Sequence, residues 1–170
     1  MRKKFTIYNL QFTNRVRGFT LIELLVVISI IGVLSAVLMA NISGIRERAR
    51  DARRKSDLKE IKDALRIYHN DYDDYPAANS GSIVGCGTKA SPITCDWGTE
   101  FVKEGTTYMK TLPADPLSQG TSLVYYTYAY TDRDNFKLNA VLENKSDVDI
   151  SKSQNLCGGT GLTNYYVCAD

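Results

Sequence analysis

The 170-residue chain has one histidine, His69, and no two cysteines at CxxC spacing. The usual zinc sites need such pairs, or cysteine and histidine together, so they are excluded. No Gly-x-Ser-x-Gly elbow is present, and a Ser-His-Asp arrangement would have to use His69, so hydrolase chemistry has no framework. "CGGTG" (Cys157–Gly161) is rich in glycine. No Lys-Ser/Thr pair or helix pattern follows it, so it reads as a turn and not a phosphate loop. Acidic residues are missing from residues 1–18, which carry a charge of +5. Residues 46–66 carry +4 and residues 67–170 carry −6, so the overall +2 hides an asymmetry. Without its first 18 residues the chain would stand at −3. A basic surface for nucleic acid is therefore not expected.

What is present begins with "RGFTLIELLVVISIIGVLSAVLMA". Phe19–Ala40 is 22 residues with one formal charge. As a helix it would be about 33 Å long, enough to cross a bilayer core. A secretory signal has its small-residue cleavage site after the apolar zone. Here the small residue, Gly18, stands before it. Cleavage at Gly18–Phe19 would remove the basic leader and keep the apolar helix. Glu23 is the one charge in the run. An acid inside hydrocarbon costs about 2.5–3.5 kcal/mol on insertion scales, and no basic residue lies within a helical turn of it. Two readings follow. Either Glu23 snorkels to the head groups, or it meets the new Phe19 amine of a neighbouring copy, offset along a helical bundle.

The helical pattern continues beyond Ala40. Ile42, Ile45, Ala49 and Ala52 recur at helical spacing, as do Leu58, Ile61, Leu65, Tyr68 and Tyr72, the period of an amphipathic helix. The charged residues between them read as a solvated or filament-facing side. Tyr75-Pro76 ends the helix, because the residue before proline disfavours helical geometry. Residues 77–91, rich in Gly, Ser, Asn and Ala, read as loop. "LVYYTYAY" (Leu123–Tyr130) and Phe136–Leu142 read as an antiparallel hairpin around "DRDN", and Asn164–Cys168 as a short last strand. Tyr125, Tyr126, Tyr128 and Tyr130 are assigned to sheet packing rather than to base stacking. The order gives an α+β fold: a long N-terminal transmembrane and amphipathic helix packed on a small antiparallel sheet. Four cysteines allow three connectivities. Pairing of sequence neighbours, Cys86–Cys95 and Cys157–Cys168, is expected on an oxidising side of a membrane, with a crossed pairing as the alternative. His69 reads as a surface residue. The acidic turns around Asp115 and at Asp132–Asn135 lack EF-hand spacing, and no metal or cofactor is expected.

"RGFTLIELLVVISIIGVL" resembles the class III leader and first helix of type IV pilins and type II secretion pseudopilins. Gly18 matches that family's cleavage glycine, Phe19 its mature amino terminus, and Glu23 its assembly glutamate. "SDLKEIKDALRIYHNDYDDYP" and "YMKTLPADP" are similar to the helix end and pre-sheet stretch of major pseudopilins. The resemblance implies a leader over 1–18, a filament-core helix over 19–40, an amphipathic continuation over 41–75 and a head domain over 76–170. It implies cleavage by a prepilin peptidase, N-methylation of Phe19, and assembly from an inner-membrane platform into a homo-oligomeric helical filament. The anchor would be single-pass in the inner membrane, with the head outside the cytoplasm. The role is structural, not enzymatic: a type II secretion pseudopilus subunit, with a type IV pilus subunit as the alternative. A membrane-anchored ligand-binding or sensor module, from another class, would need neither Gly18 cleavage nor Glu23. Some major pseudopilins bind calcium near this sheet. This chain departs from many members in having Ala40 where they have proline, which leaves Gly32 and Gly44 as the weak points of the helix.

Overall fold

The computed structural model describes residues 18–118 and 126–169, without the side chains at 37, 40 and 41. The first helix, α1, runs from Leu21 to Tyr72. It passes through Gly32 and Gly44 without a break. Its end is set by Asp73, which adopts a left-handed backbone (φ 57°) and still donates its N–H to the His69 carbonyl at 2.7 Å. Pro76 follows, so the helix cannot resume.

Within residues 43–170 the α1 stripe Leu58, Ile61, Leu65 and Tyr68 is buried. It shares one core with the strands that follow. The earlier positions Ile45, Ala49 and Ala52 are exposed instead.

Residues 77–91, expected as loop, carry strands. β1 (Ala77–Asn79) and β2 (Ser82–Gly87) form a hairpin, and β3 (Pro92–Cys95) pairs antiparallel with β2. The polar composition that suggested a loop belongs to the turns. Ser80 and Gly81 both have positive φ, as a two-residue hairpin turn requires. Gly85 is needed for close packing, since a Cβ there would meet the Pro76 ring at 2.7 Å. β4 (Phe101–Lys103) touches β2 in parallel and pairs antiparallel with β5 (Thr106–Met109). A second sheet holds β6 (Thr127–Asp132), β7 (Asn135–Val141) and β8 (Asn164–Cys168), all antiparallel. The expected hairpin is therefore present, with Tyr130 opposite Phe136. The expected start of its first strand at residues 123–125 lies outside the described residues.

A second helix, α2 (Val148–Cys157), lies between β7 and β8 and was not expected. Asp147 caps it by accepting from the Asp149 N–H, and Gly158 ends it in a left-handed conformation. The glycines of "CGGTG" thus begin as a helix cap. The fold is α+β, with sheets mostly antiparallel.

Candidate assembly site

Thr20 precedes the first turn of α1. Its carbonyl accepts from the Leu24 N–H at 3.3 Å, the opening bond of the helix. Glu23 sits three residues on, and its Oε2 accepts from both the Thr20 N–H and the Thr20 hydroxyl, each at 2.8 Å. The Glu23 N–H lies 3.3 Å from Thr20 Oγ1. This is a capping box, which satisfies the orphan donors of a helix start. Sequence alone left Glu23 with no partner inside its own chain. The structure corrects this: the partner is Thr20, and the signal was the Thr-x-x-Glu spacing ahead of an apolar run.

Gly18 and Phe19 are both exposed, and Phe19 is 82% accessible. Beyond Glu23, leucines, isoleucines and valines from Leu21 to Leu34 are exposed on every side of the helix. A helix that is apolar all round belongs inside something larger. Among the described residues no helix is long and apolar enough to cross a membrane. The expected span over 19–40 includes positions 37 and 40, whose side chains lie outside the described residues. The basic leader, with Arg2, Lys3, Lys4, Arg15 and Arg17, lies outside the described residues except for Gly18.

A family model described as the prokaryotic N-terminal methylation motif matches residues 13–39. Type II secretion system core protein G of Escherichia coli K12 is 40% identical over 114 residues, covering 66% of this chain and 74% of the relative. The protein of the same name from Dickeya chrysanthemi is 34% identical, covering 65% of this chain and 69% of the relative. The chain belongs to the type IV pilin superfamily, with the core protein G proteins. The type IV wide pilus major component PilA4 of Thermus thermophilus is 38% identical over 76 residues, covering 45% of this chain and 57% of that pilin. No solved structure matches the chain.

The head of this pilin-superfamily chain is fastened to its own stretch of α1 by buried charge. Arg54 is fully buried, and Asp51 and Asp115 nearly so. The Arg54 guanidinium donates Nε and Nη2 to Asp115 at 2.7 and 3.0 Å, and Nη1 to Asp51 and Glu143 at 2.7 Å each. Arg50 adds a fork to Glu143 at 2.7 and 2.5 Å. Asp51 in turn accepts from the N–H groups of Glu143 and Asn144 at 2.9 and 2.8 Å. Burial pushes the Arg54 guanidinium down, but the Asp115, Glu143 and Asp51 carboxylates outweigh it and hold it above its ordinary range. The Arg50 hydrogen bond, opposed by burial and joined by Arg54, holds Glu143 at about 2. One turn further on, the Tyr126 hydroxyl donates to Asp57 at 2.6 Å; burial, then this carboxylate, pushes the phenol well above its ordinary range.

The reading of the charged residues as a solvated or filament-facing side fails at Asp51, Arg54 and Asp57, which are buried, while Arg48, Arg53, Lys59, Glu60, Asp63 and Arg66 are exposed as expected. Asp51 and Arg54 continue the buried stripe of Leu58, Ile61, Leu65 and Tyr68 at three- and four-residue spacing. The same cluster bears on the turn around Asp115, whose carboxylate also accepts from the Leu117 N–H at 2.8 Å. A guanidinium holds both its oxygens, so a calcium ion would have to displace Arg54. Asp132 is engaged by the Asp134 N–H and the Asn135 side chain at 3.0 and 2.9 Å.

The cysteines pair as sequence neighbours, Cys86–Cys95 and Cys157–Cys168. His69 is only partly exposed. Its ring packs on Tyr75 at 4.4 Å, and Nε2 lies 3.4 Å from Asp134 Oδ1. Tyr126 and Tyr128 are buried in the core while Tyr130 is exposed, so packing accounts for two of the four tyrosines. Tyr125 lies outside the described residues.

Proposed function

We propose that this chain is a structural subunit of a type II secretion pseudopilus, a type IV pilus-like filament built through its N-terminal helix. The observation that carries the reading is the helix start. An accessible Gly18–Phe19 bond leads into a Thr20–Glu23 capping box and then an apolar surface with no side covered. The match to the methylation motif falls on the same residues. The work is mechanical: helices bundle into a core and heads coat it, and no catalysis is assigned.

In this reading a prepilin peptidase cuts after Gly18 and methylates the Phe19 amine. The apolar sequence from Phe19 to Ala40 anchors the subunit in the inner membrane, with the disulfide-bonded head outside the cytoplasm. An inner-membrane platform then adds it to the growing filament. There the Phe19 amine of one copy meets Glu23 of the next. The similarity to a wide-pilus component favours a type IV pilus as the second reading.

Mass spectrometry of the protein from its own host is expected to give a mature chain beginning with methylated Phe19. A start near Asn41 would mean an ordinary signal peptide and would end the filament reading. Deleting the gene then separates the two filaments: loss of secreted enzymes marks a pseudopilus, and loss of surface fibres with secretion intact marks a pilus.

A further inference from the structure

We propose that the cavity around Trp97 on the head is a binding site for a neutral sugar ring. The site lies within one head and does not depend on the filament reading above.

Trp97 is the one tryptophan of the chain. It packs against the core of the head and is only partly buried. With Ser80, Gly81, Ser82, Tyr126 and Thr127 it lines a cavity of about 280 Å³. Ser80 and Gly81 come from the β1–β2 turn, Ser82 from the start of β2 and Thr127 from the start of β6. The Trp97 and Tyr126 rings stand 6.0 Å apart and nearly perpendicular, at 88°.

The walls are fixed from several sides. Trp97 follows two residues after Cys95, which is tied to Cys86. The next residue, Gly98, turns the chain with φ 89° and donates its N–H to the Leu112 carbonyl at 2.7 Å. The Leu112 N–H returns to the Thr99 carbonyl at 2.6 Å. Across the cavity the Tyr128 N–H donates to the Gly81 carbonyl at 2.8 Å, and Asp57 holds the Tyr126 hydroxyl at 2.6 Å. A ligand entering here does not have to order the site, which favours binding of something small.

The polar groups of the lining are largely unused. Among the described residues the Trp97 indole N–H and the Ser82 and Thr127 hydroxyls have no hydrogen-bond partner, and they are not among the side-chain atoms sealed from solvent. The Ser80 hydroxyl donates only to the Asn79 side chain, at 3.1 Å. No side chain of the lining carries a charge. A phosphate or a metal ion would therefore lose its hydration without gaining a counter-charge. An apolar ligand would strip water from the hydroxyls and give nothing back. A pyranose ring meets both demands. Its C–H face suits an indole, and its hydroxyls, each donor and acceptor, suit serine, threonine and an indole N–H. An aromatic wall with a few polar groups is the usual make-up of a small-molecule site.

The test uses the purified full-length chain in detergent. Because Trp97 is the only tryptophan, the single indole N–H resonance reports this cavity alone. The methyl glycosides of glucose, galactose and mannose are each titrated to roughly 50 mM, since a one-ring ligand binds in the millimolar range. At least one is expected to move that resonance along a saturable curve. Sorbitol, which has the hydroxyls but no ring face, is expected to leave it in place. Saturation transfer to the bound sugar then reads the variants. Ser82→Ala and Thr127→Val should each weaken binding by about two- to tenfold, the worth of one hydrogen bond, with melting temperature and both disulfides unchanged. Trp97→Phe, which keeps a ring but loses the N–H, should weaken it similarly, and Trp97→Ala should abolish the transfer. No shift with any of the three glycosides overturns the proposal, as does an equal shift with sorbitol or undiminished transfer in Trp97→Ala. Tighter binding of glucose 6-phosphate than of the methyl glucoside would make this an anion site and would also overturn it.

Discussion

The same residue types meet opposite surroundings in two regions of this chain. From Leu21 to Leu34, and at Leu38 and Met39, the large apolar side chains are exposed, whereas Leu58, Ile61, Leu65, Ile83, Leu112 and Leu138 are sealed from solvent. Charge shows the same contrast. Glu23 finds its hydrogen bonds three residues away, in Thr20. Arg54 finds its partners 61 and 89 residues away, in Asp115 and Glu143. The head is complete within one chain, because it covers its own core and neutralises its own buried ions. The first stretch of helix is ordered locally and left uncovered, so its burial is supplied from outside. Substitutions in the first region should therefore change assembly, and those in the second should change folding.

The strongest break of that comparison is Glu23→Leu. Losing one member of a buried ion pair typically costs on the order of 3–5 kcal/mol, so sheared-filament yield should fall to near background. Membrane level and head stability should stay normal. Glu23→Asp should be intermediate, since a shorter side chain must stretch for the same contact. The capping box supplies a necessary control. Thr20→Val removes the cap alone, worth about 0.5–2 kcal/mol, and should leave most filaments in place. Normal filaments from Glu23→Leu would make the glutamate a cap and nothing more.

In the head the corresponding change is Arg54→Ala. It strands Asp115 and Asp51 without their counter-charge, in a site closed to water. A loss on the order of 3–5 kcal/mol is expected, read by thermal denaturation of the purified full-length protein. Replacing Arg54 by Met and Asp115 by Leu together should cost less, because Asp115 is no longer left as an unpaired buried charge and Asp51 keeps the N–H groups of Glu143 and Asn144. Equal losses from both variants would show that shape, and not charge, sets the stability there.

A smaller effect is expected from Cys157→Ser with Cys168→Ser, which opens a short loop joining the end of α2 to β8. Such a cross-link is worth about 2–3 kcal/mol in chain entropy. Hydrogen exchange should rise in α2 and β8 first and leave the α1 core positions protected. Exchange rising evenly through the head would mean that α2 is part of its cooperative core.

How much of this was readable beforehand follows from the same contrast. The apolar run lies in one continuous stretch, so composition alone exposes it, and the match to the methylation motif falls on the same residues. The stripe from Leu58 to Tyr68 and the two disulfide pairs were equally legible, because each is local. The Arg54 cluster was not, since Asp115 and Glu143 lie far off in sequence and a buried arginine looks like a solvated one. α2 was missed for another reason. Its buried face is Ile150, Ser153 and Cys157, too polar to register as a hydrophobic period, and only Asp147 and Gly158 marked its ends. β1 and β2 were hidden by their turn and by Gly85, a glycine placed for Pro76 and not for flexibility.

The finest test of the contrast is acid. Glu143 is held at about 2 in the folded head, below its ordinary 4.5, first by the Arg50 hydrogen bond and then by Arg54. A carboxyl with a lowered folded pKa binds protons more readily when the chain is unfolded. Its contribution is therefore fully present above about 4.5 and is lost as pH falls toward about 2. The head should lose stability across that window. Glu143→Gln should start less stable at neutral pH and show a shallower acid slope, because it keeps an acceptor for Arg50 and Arg54 but has no proton to take up. Glu143 is partly exposed, so the change in slope will be modest and reduced further by salt. Thr20→Val should leave the slope unchanged, since the first region contributes nothing to this equilibrium. An unaltered acid slope in Glu143→Gln would show that the contact of Glu143 with Arg50 and Arg54 does not set the acid sensitivity of the head.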